Sequence, residues 1–150
     1  MIRDYQRYYG AALVHLLDQC GGPLSVRKAF ADRNGYYVLE ERLPLSIKFS
    51  RSRMGPWVFT FHREHQVLQN ELVKHFGVGI TAFVCGTDGV VALDHQQLRL
   101  CLDDNFEEQE NISIRRKLRH MYSVRGRDGS LEEKISRDSF SKLVRNLLGP

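Results

Sequence analysis

The stretch from Tyr36 to Phe61 restricts the possible folds of this chain more than any other. It reads Tyr36-Tyr37-Val38-Leu39-Glu40-Glu41, then Pro44-Leu45-Ser46-Ile47-Lys48-Phe49-Ser50, then Pro56-Trp57-Val58-Phe59-Thr60-Phe61. β-Branched and aromatic side chains fill the runs and Arg, Pro and Gly occupy the breaks, which predicts consecutive antiparallel strands. The expected unit is a three-stranded meander with Arg42, Arg51 and Arg53 at its ends. Alternation puts Leu45, Ile47 and Phe49 on one face and Ser46, Lys48 and Ser50 on the other. In the third strand Trp57, Phe59 and Phe61 share a face, opposite Val58 and Thr60.

Helices bracket this unit. Tyr5, Tyr8, Tyr9, Ala12, Leu13, Leu16, Leu17 and Cys20 recur at spacings of three and four, one helical stripe that Gly21-Gly22-Pro23 ends. Leu24 to Asn34 carries no clear period, and Asn34-Gly35 is a turn signal. His62 to Phe76 predicts a second helix with Val67, Leu68, Leu72, Val73 and Phe76 inside and Glu64, Gln69, Asn70, Glu71 and Lys74 outside. Ile80 to Cys85, the most apolar run, predicts a central buried strand, and Gly86-Thr87-Asp88-Gly89 turns it into Val90 to Leu93. Asp94 is an N-cap residue for a short helix through Leu102.

The C-terminal third separates its charges. Asp103, Asp104, Glu107, Glu108 and Glu110 form an acidic block, followed by Arg115, Arg116, Lys117 and Arg119. Ile112-Ser113-Ile114 and Met121-Tyr122-Ser123-Val124 predict a hairpin, and Leu131 to Ile135 an edge strand with Glu132, Glu133 and Lys134 at the wet side. A last helix follows Ser136 or Asp138, with Phe140, Leu143, Val144 and Leu147 on its apolar face.

These elements predict one α+β domain over residues 1–150, with a mixed, mainly antiparallel sheet flanked by helices. A chain of 150 residues buries ~68–70% of its unfolded surface, so its core needs no metal or disulfide. Cys20, Cys85 and Cys101 have no paired spacing and suit reduced thiols in a cytoplasmic protein. The first residues are charged, and no run approaches the length of a membrane span, so neither secretion nor a membrane partner is expected.

The order helix, three antiparallel strands, helix, apolar strand over residues 4–86 resembles the core of the PD-(D/E)XK, restriction-endonuclease-like superfamily. That resemblance implies a nucleic-acid substrate. It also implies a divalent metal, Mg2+, held by an acidic residue and by a carboxylate-x-lysine pair on the neighbouring strand. Lys48 takes the lysine position, with Ser46 where the family places Asp or Glu. Glu40 and Glu41 are then the candidate metal-holding carboxylates. The resemblance thus implies a catalytic set of Glu40, Glu41 and Lys48 that lacks one carboxylate.

A second signal is cationic. The net charge of +4 is small, and its distribution carries more information than its sum. Lys48, Arg51 and Arg53 surround the aromatic strand, and Arg115, Arg116, Lys117 and Arg119, followed by Arg125 and Arg127, gather near the C-terminal hairpin. Such a track binds phosphate backbones through counterion release, and Trp57 or Tyr122 would stack on a base or sugar. Trp57 is better explained as a core anchor, since tryptophan after Gly-Pro in such a strand more often packs inside. The rival reading is a protein-interaction module or homodimer in which the acidic block 103–110 meets the basic block 115–119. His62, Glu64 and His65 share a helix face but lack a further ligand at matched spacing, and Gly86 to Gly89 lacks the helix and lysine of a phosphate loop.

Overall fold

A computed structural model describes residues 1–117 and 119–149. The elements run α1 (Asp4–Cys20), β1 (Val26–Lys28), β2 (Tyr36–Leu39), β3 (Leu43–Ser50), β4 (Trp57–His62), α2 (Arg63–Phe76), β5 (Ile80–Cys85), β6 (Gly89–Asp94), α3 (His95–Cys101), β7 (Gln109–Arg115), β8 (Ser123–Gly126) and α4 (Ser139–Leu148). The fold is α+β, with mainly antiparallel strands and helices around them. The strands divide into two sheets, ordered β1-β2-β3-β5-β6 and β4-β7-β8.

The expected three-stranded meander is therefore broken after its second strand. β2 and β3 pair antiparallel, with Tyr36 opposite Ser46 and Leu39 opposite Leu43. The other edge of β3 pairs in parallel with β5, from Leu45 opposite Ile80 to Ser50 opposite Cys85. β4 leaves for the small sheet, where Trp57 lies opposite Ile114 and His62 opposite Gln109. The physical reason is burial. β5 is buried at all six positions and needs a partner on each edge, whereas β4 alternates buried and exposed residues and suits a sheet with one wet face.

Two apolar clusters lie on opposite faces of the large sheet. Leu45, Ile47, Ala82 and Val84 pack with Ala12 and Leu16 of α1 and Phe140 and Val144 of α4. Phe83, Cys85, Val91 and Leu93 meet Trp57, Phe59, Phe61, Ile112, Ile114, Tyr122 and Val124 of the small sheet, closed by Leu98 and Cys101 of α3. The Phe59 and Phe83 rings meet edge-on at 4.9 Å, a geometry aromatic quadrupoles favour.

Local signals hold at most boundaries. Gly21 and Gly77 close α1 and α2 in the left-handed region, with φ of 70° and 78°. Asp94 caps α3, its carboxylate accepting from Gln97 N at 2.8 Å. Several expectations change. Leu17 of the α1 stripe and Leu147 of the α4 apolar face are exposed, because each lies at the margin of its helix's buried side. α2 is rotated, so that Val67 is exposed while Gln69 is buried and bonded to Thr81. Leu131 to Ile135 forms no strand, only single bridges from Ser130 to Arg125 and from Ile135 to Tyr122. The stretch 24–34, which has no clear sequence period, contains β1, which pairs through Val26 and Leu39. Cys20, Cys85 and Cys101 are unpaired thiols, and no described helix is long and apolar enough to cross a membrane.

Candidate nucleic-acid interface

Three loops meet at one end of the two sheets. Gly86 N donates to Ser50 O at 3.0 Å, Trp57 Nε1 donates to Ser52 O at 2.9 Å, and Arg116 reaches Asp88 in the β5–β6 turn. These contacts place the β3–β4 loop, the β5–β6 turn and the β7–β8 connection side by side, so residues far apart in sequence share one rim. Gly86 is required there, because its φ is 54° and a Cβ would run into the Ser52 carbonyl.

The cations of this rim fall into two kinds. Arg116 is structural: its guanidinium grips Asp88 with Nε and Nη2 at 2.6 and 2.5 Å, lies 5.5 Å from the Tyr122 ring centroid, and its side chain is 9% exposed. The Tyr122 hydroxyl donates to the same carboxylate at 2.6 Å. Arg116 holds the Asp88 carboxyl below its ordinary range, against the effect of burial. Arg51 is tied to Asp4 at 3.0 Å across the surface. Arg53, Arg115, Lys117 and Arg119 are exposed and, among the described residues, have no carboxylate partner within salt-bridge distance.

The outer face of the small sheet extends this group. Register places Ser113 opposite Arg125 and Arg115 opposite Ser123, so Arg115 and Arg125 are diagonal neighbours on the solvent side, roughly 7–8 Å apart at the backbone. Thr60 and Asn111 continue the same face, bonded at 3.0 Å. A groove of about 760 Å³ runs along it, with Arg115, Arg125, Arg127 and Lys134 among its walls. Arg125, like Arg115, has no carboxylate partner among the described residues, and Arg127 has only the half-buried Glu107 at 3.8 Å.

Stacking is excluded as a role for the two aromatic candidates. Trp57 is 3% and Tyr122 0% exposed, because both face the inter-sheet core. The acidic block does not neutralise the basic one either. Asp104 approaches Arg99 at 4.0 Å, Glu107 pairs with Arg127, and Arg116 takes Asp88, so the ion pairs that members of the two blocks make among the described residues are not with each other.

Lys48 occupies a different environment from the surface cations. β2 begins opposite Ser46, which leaves the end of β3 without a β2 neighbour, and Tyr9 of α1 reaches into that gap beside Gly35. The Lys48 amine lies inside, donating to Thr60 O at 2.8 Å and to His65 Nδ1 at 2.6 Å, and 4.5 Å from the Phe61 ring centroid. Cavities of about 150 and 300 Å³ lie on either side of it; Tyr9 lines both, and Tyr36, Ser46 and Glu64 line the smaller. Burial lowers the Lys48 pKa to about 7. Burial first, then the nearby amine, lowers that of His65 to about 4. His62 N also donates to His65 Nδ1, at 3.3 Å, so two donors fix that nitrogen as an acceptor in a neutral ring.

This arrangement separates the catalytic set that the restriction-endonuclease-like resemblance implies. Glu40 and Glu41 sit in the β2–β3 turn with φ of 52° and 56°, and the strand from Leu43 to Lys48 spans roughly 16 Å. Glu40 accepts from Ser25 N at 2.8 Å and Glu41 is bound to Arg27 at 2.8 Å, so both carboxylates are engaged away from Lys48. Glu64, the carboxylate in the wall of the smaller cavity, is paired with Arg33 at 2.8 Å. The amine position follows from the alternation in β3; its burial depends on β4 and α2 folding over it, which no local pattern shows.

No family description, no curated protein and no solved structure matches the chain.

Proposed function

We propose that this chain is a nucleic-acid-binding domain that holds a phosphate backbone along the outer face of its small sheet and the adjoining loop rim. The observation that carries this reading is the pair Arg115 and Arg125, exposed, diagonal and without carboxylate partners among the described residues, above a polar groove. Exposed cations on a polar β-face suit backbone contacts, and with Trp57 and Tyr122 buried this reading relies on phosphate contacts rather than base stacking. Duplex is therefore favoured over single strands. The element order adds nothing to it: of the three strands on which the restriction-endonuclease-like resemblance rests, β2 and β3 pair with each other, whereas β4 leaves for the small sheet.

The reading favours binding over cleavage, since Glu40 and Glu41 lie at the far end of β3 from Lys48. Binding to duplex and single-stranded DNA and RNA at two salt concentrations, with and without Mg2+, tests it. Duplex binding weakens with salt. Replacing Arg115 and Arg125 together by Ala lowers the salt slope by about two, since each phosphate that a cation neutralises adds ~0.9 to it. An unchanged slope removes this face from the reading. Product fragments that require Mg2+ restore a nuclease with Lys48 at its centre.

A further inference from the structure

At one end of this groove, which Glu110 also lines, Asp103 after α3, Glu110 on β7 and Asp128 after β8 each bring one carboxylate oxygen within 4.8 Å of the others. Asp103 and Asp128 are exposed, whereas Glu110 is 2% exposed. Gln66 of α2 donates to Glu110 Oε2 at 2.5 Å, and Glu110 Oε1 has no hydrogen-bond partner among the described residues. A buried carboxylate oxygen left without a donor is costly unless a cation meets it.

The local charges do not balance without one. Asp103, Glu110 and Asp128 are absent from the ion pairs within 4.0 Å among the described residues. Arg99 donates to the Asp103 carbonyl and to Gln66 Oε1, both at 3.2 Å, and approaches Asp104 at 4.0 Å, while its Nε is buried without a partner among the described residues. Counting Arg99 against the three carboxylates still leaves two negative charges. Backbone donors orient two of the carboxylates: Asn105 N bonds Asp103 Oδ1 at 3.0 Å, and Asp103 N bonds Asp128 Oδ2 at 2.8 Å.

We propose that Asp103, Glu110 and Asp128 form a calcium site that joins the α3–β7 segment to the turn after β8. All three donors are hard oxygens, which selects against the softer transition metals. Oxygens within 4.8 Å of one another fit around one ion at ~2.3–2.6 Å, and three carboxylates suit Ca2+ better than Mg2+, which keeps most of its water. The site is independent of the nucleic-acid reading.

Thermal melting in Ca2+, in Mg2+ and in EDTA, with titration calorimetry of Ca2+ alone, tests the proposal. Calcium at about a hundred times its Kd raises the melting temperature by ~5–10 °C, and calorimetry gives one site. Asp103→Asn and Asp128→Asn, both at exposed positions, fold and lose the increment. Glu110→Gln loses it too, with Ca2+ affinity reduced at least tenfold, and melts above the wild type in EDTA because the buried charge is gone. Equal melting in all three conditions without calorimetric heat overturns the site, as does an increment that survives Asp103→Asn and Asp128→Asn. An equal response to Mg2+ overturns the choice of calcium.

Discussion

Replacing Lys48 by Met raises the melting temperature at pH 7 and flattens the rise of stability with pH that the wild type shows between pH 7 and 10.5. The amine titrates at about 7 in the folded protein against 10.5 in a free lysine, because burial disfavours the ammonium form. Between those values the unfolded chain holds the proton and the folded one does not, so stability increases with pH; below pH 7 both hold it and the full penalty applies. That penalty is on the order of 4–5 kcal/mol. Losing the bond to the Thr60 carbonyl costs about 1–2 kcal/mol, which leaves a net gain of ~2–3 kcal/mol, or ~5–10 °C for a chain of this size. The gain shrinks towards pH 10 and reverses, since only the missing hydrogen bond then matters. Denaturant melts of both proteins at pH 6, 8 and 10 measure this. A variant less stable than the wild type at pH 6 would show that the amine's contacts with Thr60, His65 and Phe61 outweigh its desolvation.

Arg116→Ala is expected to have the opposite effect, lowering stability by about 2–3 kcal/mol through removal of a charge-assisted, bidentate pair. The Asp88 carboxylate would keep only the Tyr122 hydroxyl, in a site where the Arg116 side chain is 9% and the Asp88 side chain 22% exposed. The melting temperature falls by ~5–10 °C, while Arg115→Ala and Lys117→Ala, at the neighbouring positions, stay within about 0.5 kcal/mol. The acid limb carries a second signature. Asp88 has a folded pKa below its ordinary 3.8, held there first by Arg116. Its contribution is present above pH 3.8 and is lost as pH falls through the lower folded value. The gap between wild type and variant therefore closes at low pH. A gap that does not narrow as pH falls below 3.8 would mean that Arg116 acts through its packing on Tyr122 rather than through the carboxylate.

These two residues also show where sequence reasoning reaches its limit. On type and position alone, Lys48 and Arg116 read as members of one phosphate-binding track. The structure makes Lys48 an interior amine and Arg116 the clasp of the β5–β6 turn, and leaves Arg115, Arg125 and their neighbours as the exposed cations. A lysine or arginine in a sequence carries its charge but not its partner. Asp88 is 28 positions from Arg116, beyond any periodicity or capping signal. The cluster of Asp103, Glu110 and Asp128 is half visible in the sequence as an acidic block, but Asp128 enters it only because β8 folds back against α3.

Most elements are legible because their causes are local. The stripe from Tyr5 to Cys20, the glycines that close α1 and α2, the Asp94 cap and the apolar run of β5 each follow from backbone preference and side-chain period within a few residues. Strand pairing is not legible, because an edge of β3 is satisfied equally by β4 or by β5, and the choice rests on which arrangement buries more apolar surface across the whole chain. Alternation already assigns Trp57, Phe59 and Phe61 to one face. Only the tertiary fold decides that this face closes on Phe83, so that β4 starts a second sheet, Lys48 is covered, and the polar side of β4, β7 and β8 is left to solvent. Local sequence determines which side chains point together; what they meet is a long-range competition for burial.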